Sequence, residues 1–434
     1  MRLLISLLAV ILLSAANNAK AENKFDYREQ LLGEPQTLSL VLEGINRQTG
    51  EVVVSGVDTQ RPQIPFSFEW GDGTVSNGWF PQKHTYPDKK KNYLIKVTSH
   101  YPQPTIGQAK ILVRFISPEI SPIPISEEIK VSIPGSKIKL ISRMPGYGIS
   151  GDLTYFDDTY FNILPRNTVE YVLSVASLIQ HDFVNSNLVK LKQGFRQVLL
   201  RDADFPGMYS LWYTNPVAFC VSDYGFKETI QYSSFFHEMA HNDTLNTPAQ
   251  YCYGGNLDGS ASAILTESLA QIFQHATAYE MANNYNDYGL SEDIAMEIML
   301  NAFSTIKITR GAYENYINSG MRFCAWNDPQ TKNDETLDTF MTIAYKFCIH
   351  AENQGRGYRV PLKRLMLFLQ MLNEDLRKRY NPGSNPPEAN MFRATFLVTA
   401  LSYAFSEDLR GEFRKLNFPI DDEIYRELYT RITK

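Results

Sequence analysis

Residues 233–241 of the 434-residue chain read Ser-Ser-Phe-Phe-His-Glu-Met-Ala-His, and they contain the pattern His237-Glu238-x-x-His241. Neither glycine nor proline occurs between Thr229 and Asn242, so we expect a helix over this range. Side chains four residues apart lie on one face of a helix, and both imidazoles can therefore bind a single ion. The stretch predicts a helical domain that carries a metal site.

The residue types in this pattern point to zinc chemistry. Neutral imidazole is a good ligand of Zn²⁺, and a glutamate directly after the first ligand is suited to take a proton from an attacking water. Only seven histidines occur in the chain, so we expect the pattern by chance in roughly one such chain in a hundred or fewer. We therefore predict His237 and His241 as metal ligands and Glu238 as the catalytic base.

A third ligand is expected from a second helix. Residues 242–260 are rich in Asn, Asp, Gly and Pro and predict a loop, whereas residues 261–279 predict a helix with an apolar face. Glu267 lies in that helix among small and apolar residues, where a carboxylate needs a partner such as a cation. Glu280 is the competing ligand, but it lies near the expected helix end, where solvent is close. We expect the two histidines and Glu267 to hold one Zn²⁺, with the fourth position left for water.

This arrangement resembles the gluzincin metallopeptidases, in which a His-Glu-x-x-His helix is followed by a helix that bears a glutamate. The similarity covers residues 229–280 and implies a mainly helical (α+β) metallopeptidase domain. It also implies His237, His241 and Glu267 as zinc ligands and Glu238 as the base that moves a proton from water to the leaving amine.

Within that clan, the His241-Asn242 junction and the length of the following loop resemble the enhancin/mucinase-type peptidases. The C-terminal pattern Asp408-Leu409…Phe413…Phe418-Pro419 adds to this similarity. Two positions depart from the related patterns. Ala240 stands where these enzymes commonly have glycine, and Gln271 stands where thermolysin-like enzymes place an aspartate. We expect that Gln271 can still hold a ligand imidazole by a hydrogen bond.

Peptide hydrolysis also needs a donor for the developing oxyanion, and in this clan it is often a tyrosine or a histidine. The candidates in this chain are Tyr279, Tyr313, Tyr316, Tyr345, His275 and His350. A core or surface position is the alternative for each of them. His275 is the first to check, because it follows Glu267 by eight residues on a similar helix face.

The N-terminal part of the chain predicts a β-sandwich over residues 36–115, with short β-rich runs separated by turns. Trp70-Gly-Asp72-Gly-Thr, followed by His84-Thr-Tyr and a further strand, resembles a PKD-type immunoglobulin-like domain. We interpret Asp72 as a carboxylate that closes a turn and Trp70 as a core residue. The fold class is thus multidomain, with an N-terminal all-β sandwich followed by a mainly α metallopeptidase domain of gluzincin type.

Three prolines in Ile116–Ser126 predict an extended linker over residues 116–128. Residues 129–434 are expected to form the metallopeptidase region. Its expected parts are a strand-rich segment (129–165), the catalytic helices (166–284) and a helical C-terminal subdomain (285–434).

The first residues predict export. Met1-Arg2 is followed by an apolar run, Leu3–Leu13, and then by Ala19-Lys-Ala21, which is the layout of a signal peptide cleaved after Ala21. A membrane anchor is the alternative, but the run is about ten residues too short for a bilayer span. We therefore expect a secreted or periplasmic protein without stable membrane insertion.

Composition excludes some partners. The net charge is −5, and the longest run of basic residues is Lys89-Lys90-Lys91, so a nucleic-acid partner is disfavoured. Hydrophobic residues make up 44% of the chain, which is enough for sizeable cores. The composition does not indicate whether the protein forms oligomers.

Four cysteines in an exported chain permit two disulfides with three connectivities. Pairing of nearest neighbours would join Cys220 to Cys252 and Cys324 to Cys348, and four free buried thiols are the alternative. None of them lies in a C-x-x-C pair, so a thiolate zinc site is poorly supported.

These observations favour a secreted zinc endopeptidase that acts on extracellular proteins or glycoproteins, with the β-sandwich as a spacer or a substrate-docking module. A zinc aminopeptidase is one alternative, and it would need an acidic group for the substrate amine, for example at residues 152–158 or 202–204. A catalytically inactive surface protein that binds carbohydrate or protein is another, although an intact Glu238 argues against it.

Overall fold

The computed structural model describes residues 38–58, 60, 62–101, 106–116, 120–123, 129–132, 139–142, 146–149, 152–156, 166–184, 195–200, 208–210, 216–219, 232–245, 261, 263–327, 335–355, 357–381 and 383–433. A β region built from two sheets comes first, and a mainly helical region follows. This order confirms the predicted layout. The predicted signal peptide, Cys220 and Cys252 lie outside the described residues.

The N-terminal β region contains two antiparallel sheets in the orders β1-β2-β5 and β4-β3-β6-β7. Side chains on a strand alternate between its two faces, so each sheet turns apolar residues to a shared interior. That core contains Leu40, Val54, Phe68, Ile95 and Ile111, all of them buried. The strands are β1 (Leu38–Ile45), β2 (Glu51–Asp58), β3 (Phe66–Glu69), β4 (Val75–Gly78), β5 (Gln82–Thr85), β6 (Tyr93–His100) and β7 (Ile106–Val113).

The turn after β3 has the structure expected from its sequence. Trp70 is buried in the core, and Asp72 accepts hydrogen bonds from the backbone N–H of Thr74 (3.0 Å) and from its hydroxyl (2.6 Å). His84 Nε2 lies 2.7 Å from the other carboxylate oxygen. Burial would raise the pKa of Asp72, but the hydrogen bonds from Thr74 and His84 outweigh it and lower the pKa to about 2. Asp72 thus closes a turn, as predicted.

The next part of the chain forms a six-stranded sheet in the order β14-β15-β13-β12-β11-β8 and a separate pair of strands, β9 and β10. The pairs β12–β13 and β13–β15 are parallel, and the others are antiparallel. These strands are β8 (Ile120–Ile123), β9 (Ile129–Ser132), β10 (Lys139–Ser142), β11 (Gly146–Ile149), β12 (Asp152–Phe156), β13 (Phe195–Leu200), β14 (Met208–Ser210) and β15 (Pro216–Phe219).

The prediction that residues 116–128 are only a linker was wrong, because β8 lies inside this range and pairs with β11. Pro122, opposite Tyr147, lacks a backbone N–H. An outer strand tolerates proline, since one of its two edges makes no ladder hydrogen bonds, and β8 is an outer strand among those described. The proline-rich sequence therefore belongs to a sheet edge as well as to a connection.

The segment expected to contain the catalytic helices, residues 166–284, is also not purely helical. Strands β13, β14 and β15 lie between its first two helices. The described helices are α1 (Arg166–Val184), α2 (Tyr232–Leu245), α3 (Ala263–Asn283), α4 (Glu292–Asn318), α5 (Glu335–Asn353), α6 (Arg359–Leu369), α7 (Glu374–Tyr380), α8 (Pro387–Phe405), α9 (Arg410–Lys415) and α10 (Asp422–Thr433). None of them has a stretch apolar enough to cross a bilayer.

Helix α3 is surrounded by α1, α2, α4 and α5, and this packing buries most of its side chains. The β region packs on the outside of this bundle, where β1 contacts α6. Val41 and Val57 of the β region belong to the same apolar cluster as the helices, and Glu43 lies 4.0 Å from Arg364. The β region is thus attached to the helices by a buried apolar contact.

Cys324 and Cys348 are both free thiols, so the predicted disulfide between them does not form. Cys324 Sγ lies 3.3 Å from the hydroxyl of Thr336, at the start of α5, whereas Cys348 lies twelve residues further along that helix. With a rise of about 1.5 Å per residue, Thr336 and Cys348 are roughly 18 Å apart along the helix axis, which is far beyond the reach of a disulfide. Burial raises the pKa of the Cys348 thiol.

A fully buried arginine holds the loop between α7 and α8. The Arg393 guanidinium donates to the carbonyls of Tyr380 (2.8 Å), Asn381 and Ser384 (2.6 Å) and to the side chain of Asn385 (2.9 Å). Tyr380 is fully buried, so its carbonyl would lose its donor away from water if the guanidinium were removed, and the partly buried carbonyls of Asn381 and Ser384 would lose theirs as well.

We expect Arg393→Met to lower the free energy of unfolding by about 3 kcal/mol, since one buried and two partly buried carbonyls lose their donor and a buried group left unpaired costs roughly 1–3 kcal/mol. Arg379→Met is the matched control, because Arg379 also lies over an aromatic ring but pairs with Glu427 at a partly exposed position. Its expected loss is about 0–1 kcal/mol. Urea unfolding followed by circular dichroism measures both, and equal losses would contradict the assignment.

Candidate metal centre

Helix α2 carries the His-Glu-x-x-His pattern, and it begins and ends three residues later than predicted, at Tyr232 and Leu245. It is packed against α1, α3 and α4 and also contacts strands β14 and β15. His237 is 5% exposed and His241 3% exposed, so the imidazole face of the helix points into the protein. The described helix agrees with the local sequence, which has no helix-breaking residue in this range.

The structure brings the three predicted ligand residues together. His237 Nε2 and His241 Nε2 lie 3.1 Å apart, and they are 3.4 Å and 3.5 Å from Glu267 Oε2. Glu267 comes from α3 and is 7% exposed. Within the described part of the chain, this buried group of His and Glu side chains has the composition and spacing that could hold a metal ion.

Electrostatics keep the Glu267 carboxylate charged. Burial by itself would raise its pKa, but the attraction of His241 and the hydrogen bond of His237 outweigh burial and hold the pKa well below its usual range. A charged carboxylate next to two imidazoles is the state in which all three can bind a divalent cation.

Glu238, the predicted base, follows His237 directly in α2 and is 2% exposed. Successive residues on a helix are rotated by about 100°, so Glu238 points to one side of the line that joins the two histidines. The predicted position for a base beside the metal ligands is therefore occupied by a buried carboxyl group.

The expectation that Gln271 orients a ligand imidazole was wrong. Gln271 donates instead to the hydroxyl of Thr309 on α4, at 3.1 Å. Gln274 has the expected role, because its Oε1 lies 3.0 Å from His237 Nδ1. Gln274 follows Glu267 by seven residues, almost two full turns, and so lies on the same face of α3, whereas Gln271 is rotated away by about 40°. Both glutamines thus lie near the Glu267 face, and the spacing by itself does not identify which of them contacts the imidazole.

Glu280, the alternative ligand, lies in a different cluster. Its Oε1 accepts hydrogen bonds from the Arg359 guanidinium (2.7 Å and 3.0 Å) and from the hydroxyl of Tyr288 (3.0 Å). An arginine at this distance is sufficient to compensate the partly buried carboxylate. The structure thus distinguishes between the two acidic residues of α3 and favours Glu267 as the candidate ligand.

The six candidates for an oxyanion donor have contacts elsewhere in the described structure. His275 Nε2 lies 3.0 Å from Glu352, Tyr316 donates to the carbonyl of Leu416, and Tyr313 stacks on Tyr345. The remaining two, Tyr279 and His350, contact Tyr358 and Glu412. None of the six hydrogen-bonds to the metal-site residues in the described range. The acidic groups suggested for an aminopeptidase, at 152–158 and 202–204, have no described side chains.

The His350–Glu412 pair predicts a pH-dependent contribution to stability. The contact between His350 Nε2 and Glu412 (3.1 Å), with a smaller contribution from Lys346, lowers the pKa of Glu412 to about 2, and the same contact raises the pKa of His350 above its usual 6.5. The glutamate contribution is present above the unfolded pKa near 4.5, and the histidine contribution is lost as pH rises through the raised folded pKa.

We therefore expect His350→Gln to destabilise the protein by about 1 kcal/mol between roughly pH 4.5 and 6.5, and by almost nothing near pH 9. Urea unfolding of both proteins at these pH values measures the difference. A loss that is the same at every pH would rule out the ion pair as its cause.

A second buried amide was also not found from the sequence. Gln180 of α1 donates from Nε2 to the backbone carbonyl of Phe236 (2.8 Å) and to the hydroxyl of Thr277 (3.2 Å). The Gln180 side chain thus connects α1 both to α3 and to α2, at the residue directly before His237. No local pattern predicts such a contact, because its partners lie 56 and 97 residues away.

The functional assignment depends on the contacts of the candidate metal site described above, because comparison with known proteins identifies no family. No protein-family model and no curated protein matches this chain. It is similar to a solved structure described as "a functionally unknown conserved protein mutant from Bacillus anthracis str. Ames". The sequence identity is 12%, the alignment covers 92% of this chain and 72% of that chain, and the TM-score is 0.40. A similarity at this level supports no argument about function.

Proposed function

We propose that this protein is an exported zinc endopeptidase of gluzincin type that hydrolyses peptide bonds in extracellular proteins or glycoproteins. The observation that carries the proposal is the spacing of the three candidate ligand atoms. Two atoms bound at about 2.1 Å to a tetrahedral zinc ion lie about 3.4 Å apart. The corresponding separations in this protein are 3.1, 3.4 and 3.5 Å. Two imidazoles and one carboxylate are also a known ligand set of catalytic zinc sites.

Zinc bound by these residues would act as a Lewis acid toward the scissile carbonyl and would make an attacking water more acidic. Glu238 would take the proton from that water and return it to the leaving amine. His237, His241 and Glu267 would hold the ion, and their burial excludes bulk water from one side of the site.

The sheet next to α2 supports an endopeptidase over an aminopeptidase. Strand β14 is an outer strand among those described, pairs antiparallel with β15 and contacts α2. An extended peptide can pair with such an edge through backbone hydrogen bonds, which are independent of side-chain sequence. A substrate bound in this way can extend in both directions along the edge, whereas an aminopeptidase needs an acidic group for a terminal amine. The leader-like sequence before Ala21 supports export.

The experiment is metal analysis of the purified protein combined with cleavage of casein and mucin. We expect about one zinc per chain, hydrolysis that a chelator abolishes, and recovery on addition of Zn²⁺. Peptides with a blocked N-terminus should be cleaved internally, whereas their resistance would favour the aminopeptidase. Bound zinc without turnover of any substrate would support the catalytically inactive binding protein instead.

A further inference from the structure

We infer that Gln274, oriented by Thr305 of α4, fixes the tautomer of His237 that carries its proton on Nδ1. This contact would tune the metal affinity, and Thr305 orients it from α4, a helix that supplies no candidate ligand. The inference rests on the proposed metal site but concerns residues outside it. Its basis is the direction of three successive hydrogen bonds that join α2, α3 and α4.

The first hydrogen bond assigns the proton on His237. Gln274 Oε1 lies 3.0 Å from His237 Nδ1, and an amide oxygen can only accept. His237 must therefore donate from Nδ1. In the neutral ring, Nε2 then keeps its lone pair, and Nε2 is the atom that faces His241 and Glu267.

The other two hydrogen bonds show why the Gln274 side-chain amide is not flipped, with Oε1 and Nε2 exchanged. Gln274 Nε2 lies 2.9 Å from Thr305 Oγ1, and that hydroxyl lies 3.0 Å from the backbone carbonyl of Asn301. A carbonyl only accepts, so the single hydroxyl proton of Thr305 is used there. The hydroxyl oxygen is left to accept from the NH₂ group of Gln274. A reversed amide would bring its oxygen to a hydroxyl that has no proton to give.

Burial makes the partners of His237 difficult to replace by water. Thr305 is 4% exposed and His237 5% exposed, and Gln274 between them is partly buried, so water has limited access to replace a lost partner. Partners that hold the second nitrogen of a ligand histidine typically change metal affinity by about 10–100-fold. Gln274 and Thr305 are therefore positioning residues, because they act through His237 and not on the metal or the substrate.

The chain provides a matched control one helical turn away. Gln271 also bridges α3 to α4, through Thr309 at 3.1 Å, and the Thr309 hydroxyl likewise donates to a backbone carbonyl, that of Thr305. This second bridge contacts no imidazole in the described structure. A comparison of the two bridges separates the effect on His237 from the simple loss of a contact between helices.

The experiment measures the zinc dissociation constant of the full-length protein by competition with a chromophoric chelator. We expect Gln274→Met to weaken zinc binding by about 10–100-fold and Gln271→Met by less than about threefold. Thr305→Val should weaken binding more than Thr309→Val. Gln274→Glu should bind zinc about as well as wild type, because a carboxylate also accepts from Nδ1.

A second readout reports on the tautomer itself. In ¹⁵N-histidine-labelled protein, we expect an Nδ1–H signal for His237 that survives in Gln271→Met and is lost in Gln274→Met. If wild-type protein binds no zinc, the proposed function and this inference both fail. If zinc binds and the two glutamine variants have equal dissociation constants, the inference alone is overturned. If Gln274→Met does not fold, the Thr305→Val and Thr309→Val pair decides in the same way.

Discussion

Replacement of Glu238 by glutamine is expected to lower the rate of peptide hydrolysis by about 10³-fold while zinc remains bound. Glutamine has almost the same shape as glutamate but cannot take up a proton, and general acid–base catalysis typically contributes about 10²–10⁴-fold. Glu238 is not one of the three residues whose atoms surround the candidate metal position, so its loss should leave the ion in place. Steady-state hydrolysis of a labelled peptide and metal analysis measure the two quantities.

Met239→Leu is the control for this experiment. Met239 is the next residue in α2 and is fully buried, so the exchange tests whether any change at this point of the helix disturbs activity. The volumes of methionine and leucine are similar, and we expect activity within about twofold of wild type. If Glu238→Gln retains activity close to that of Met239→Leu, Glu238 is not the base and the proposed mechanism is wrong.

The second large effect is expected at Glu267. We expect Glu267→Ala to weaken zinc binding by roughly 10²–10³-fold, because a site worth about 10–16 kcal/mol over four ligands loses about 3–4 kcal/mol with one of them. The two imidazoles then remain, and His237 Nε2 and His241 Nε2 would lie close together without the carboxylate charge that faces them both. A competition titration with a chelator measures the change.

Glu280→Ala provides the control, since Glu280 lies on the same helix and was the other acidic candidate in the sequence. Its carboxylate is paired with Arg359, so its loss should affect stability and leave zinc binding unchanged. Equal weakening by the two substitutions would mean that the third ligand has been misassigned. Retention of zinc by Glu267→Ala and its loss in Glu280→Ala would reverse the assignment.

These tests depend on a site that was largely predictable, because most of its information is local. The spacing of His237 and His241 places both rings on one face of any helix, whatever the rest of the fold. Glu267 was predictable for another reason, since a carboxylate in an otherwise apolar helix needs a cation. The choice between Gln271 and Gln274 was harder, because both lie near the Glu267 face and both contact α4, and the packing of α2 against α3 decides which amide meets an imidazole.

Predictions failed where a distant segment supplies the partner. The proline-rich stretch around Pro122 reads as a linker by itself, and its pairing with Tyr147 shows it to be an outer strand. Strands β13 to β15 are short and parallel or mixed in pairing, so their hydrogen-bond partners are remote in sequence. The disulfide between Cys324 and Cys348 was proposed because the two cysteines are neighbours in the sequence. In the structure, Cys324 lies near the start of helix α5, whereas Cys348 lies more than three turns further along it.

The sequence by itself determined the two histidines as a pair, the glutamate beside them, the turn at Asp72 and the order of a β region before a helical one. Each of these depends on residues a few positions apart, where helix and turn geometry are nearly independent of context. Only the tertiary structure decided that Glu267 and not Glu280 meets the imidazoles and that Gln274 holds one of them. It also decided that the β region packs on α6. These contacts join residues that are far apart in the chain, and the packing of whole helices sets the distances between them.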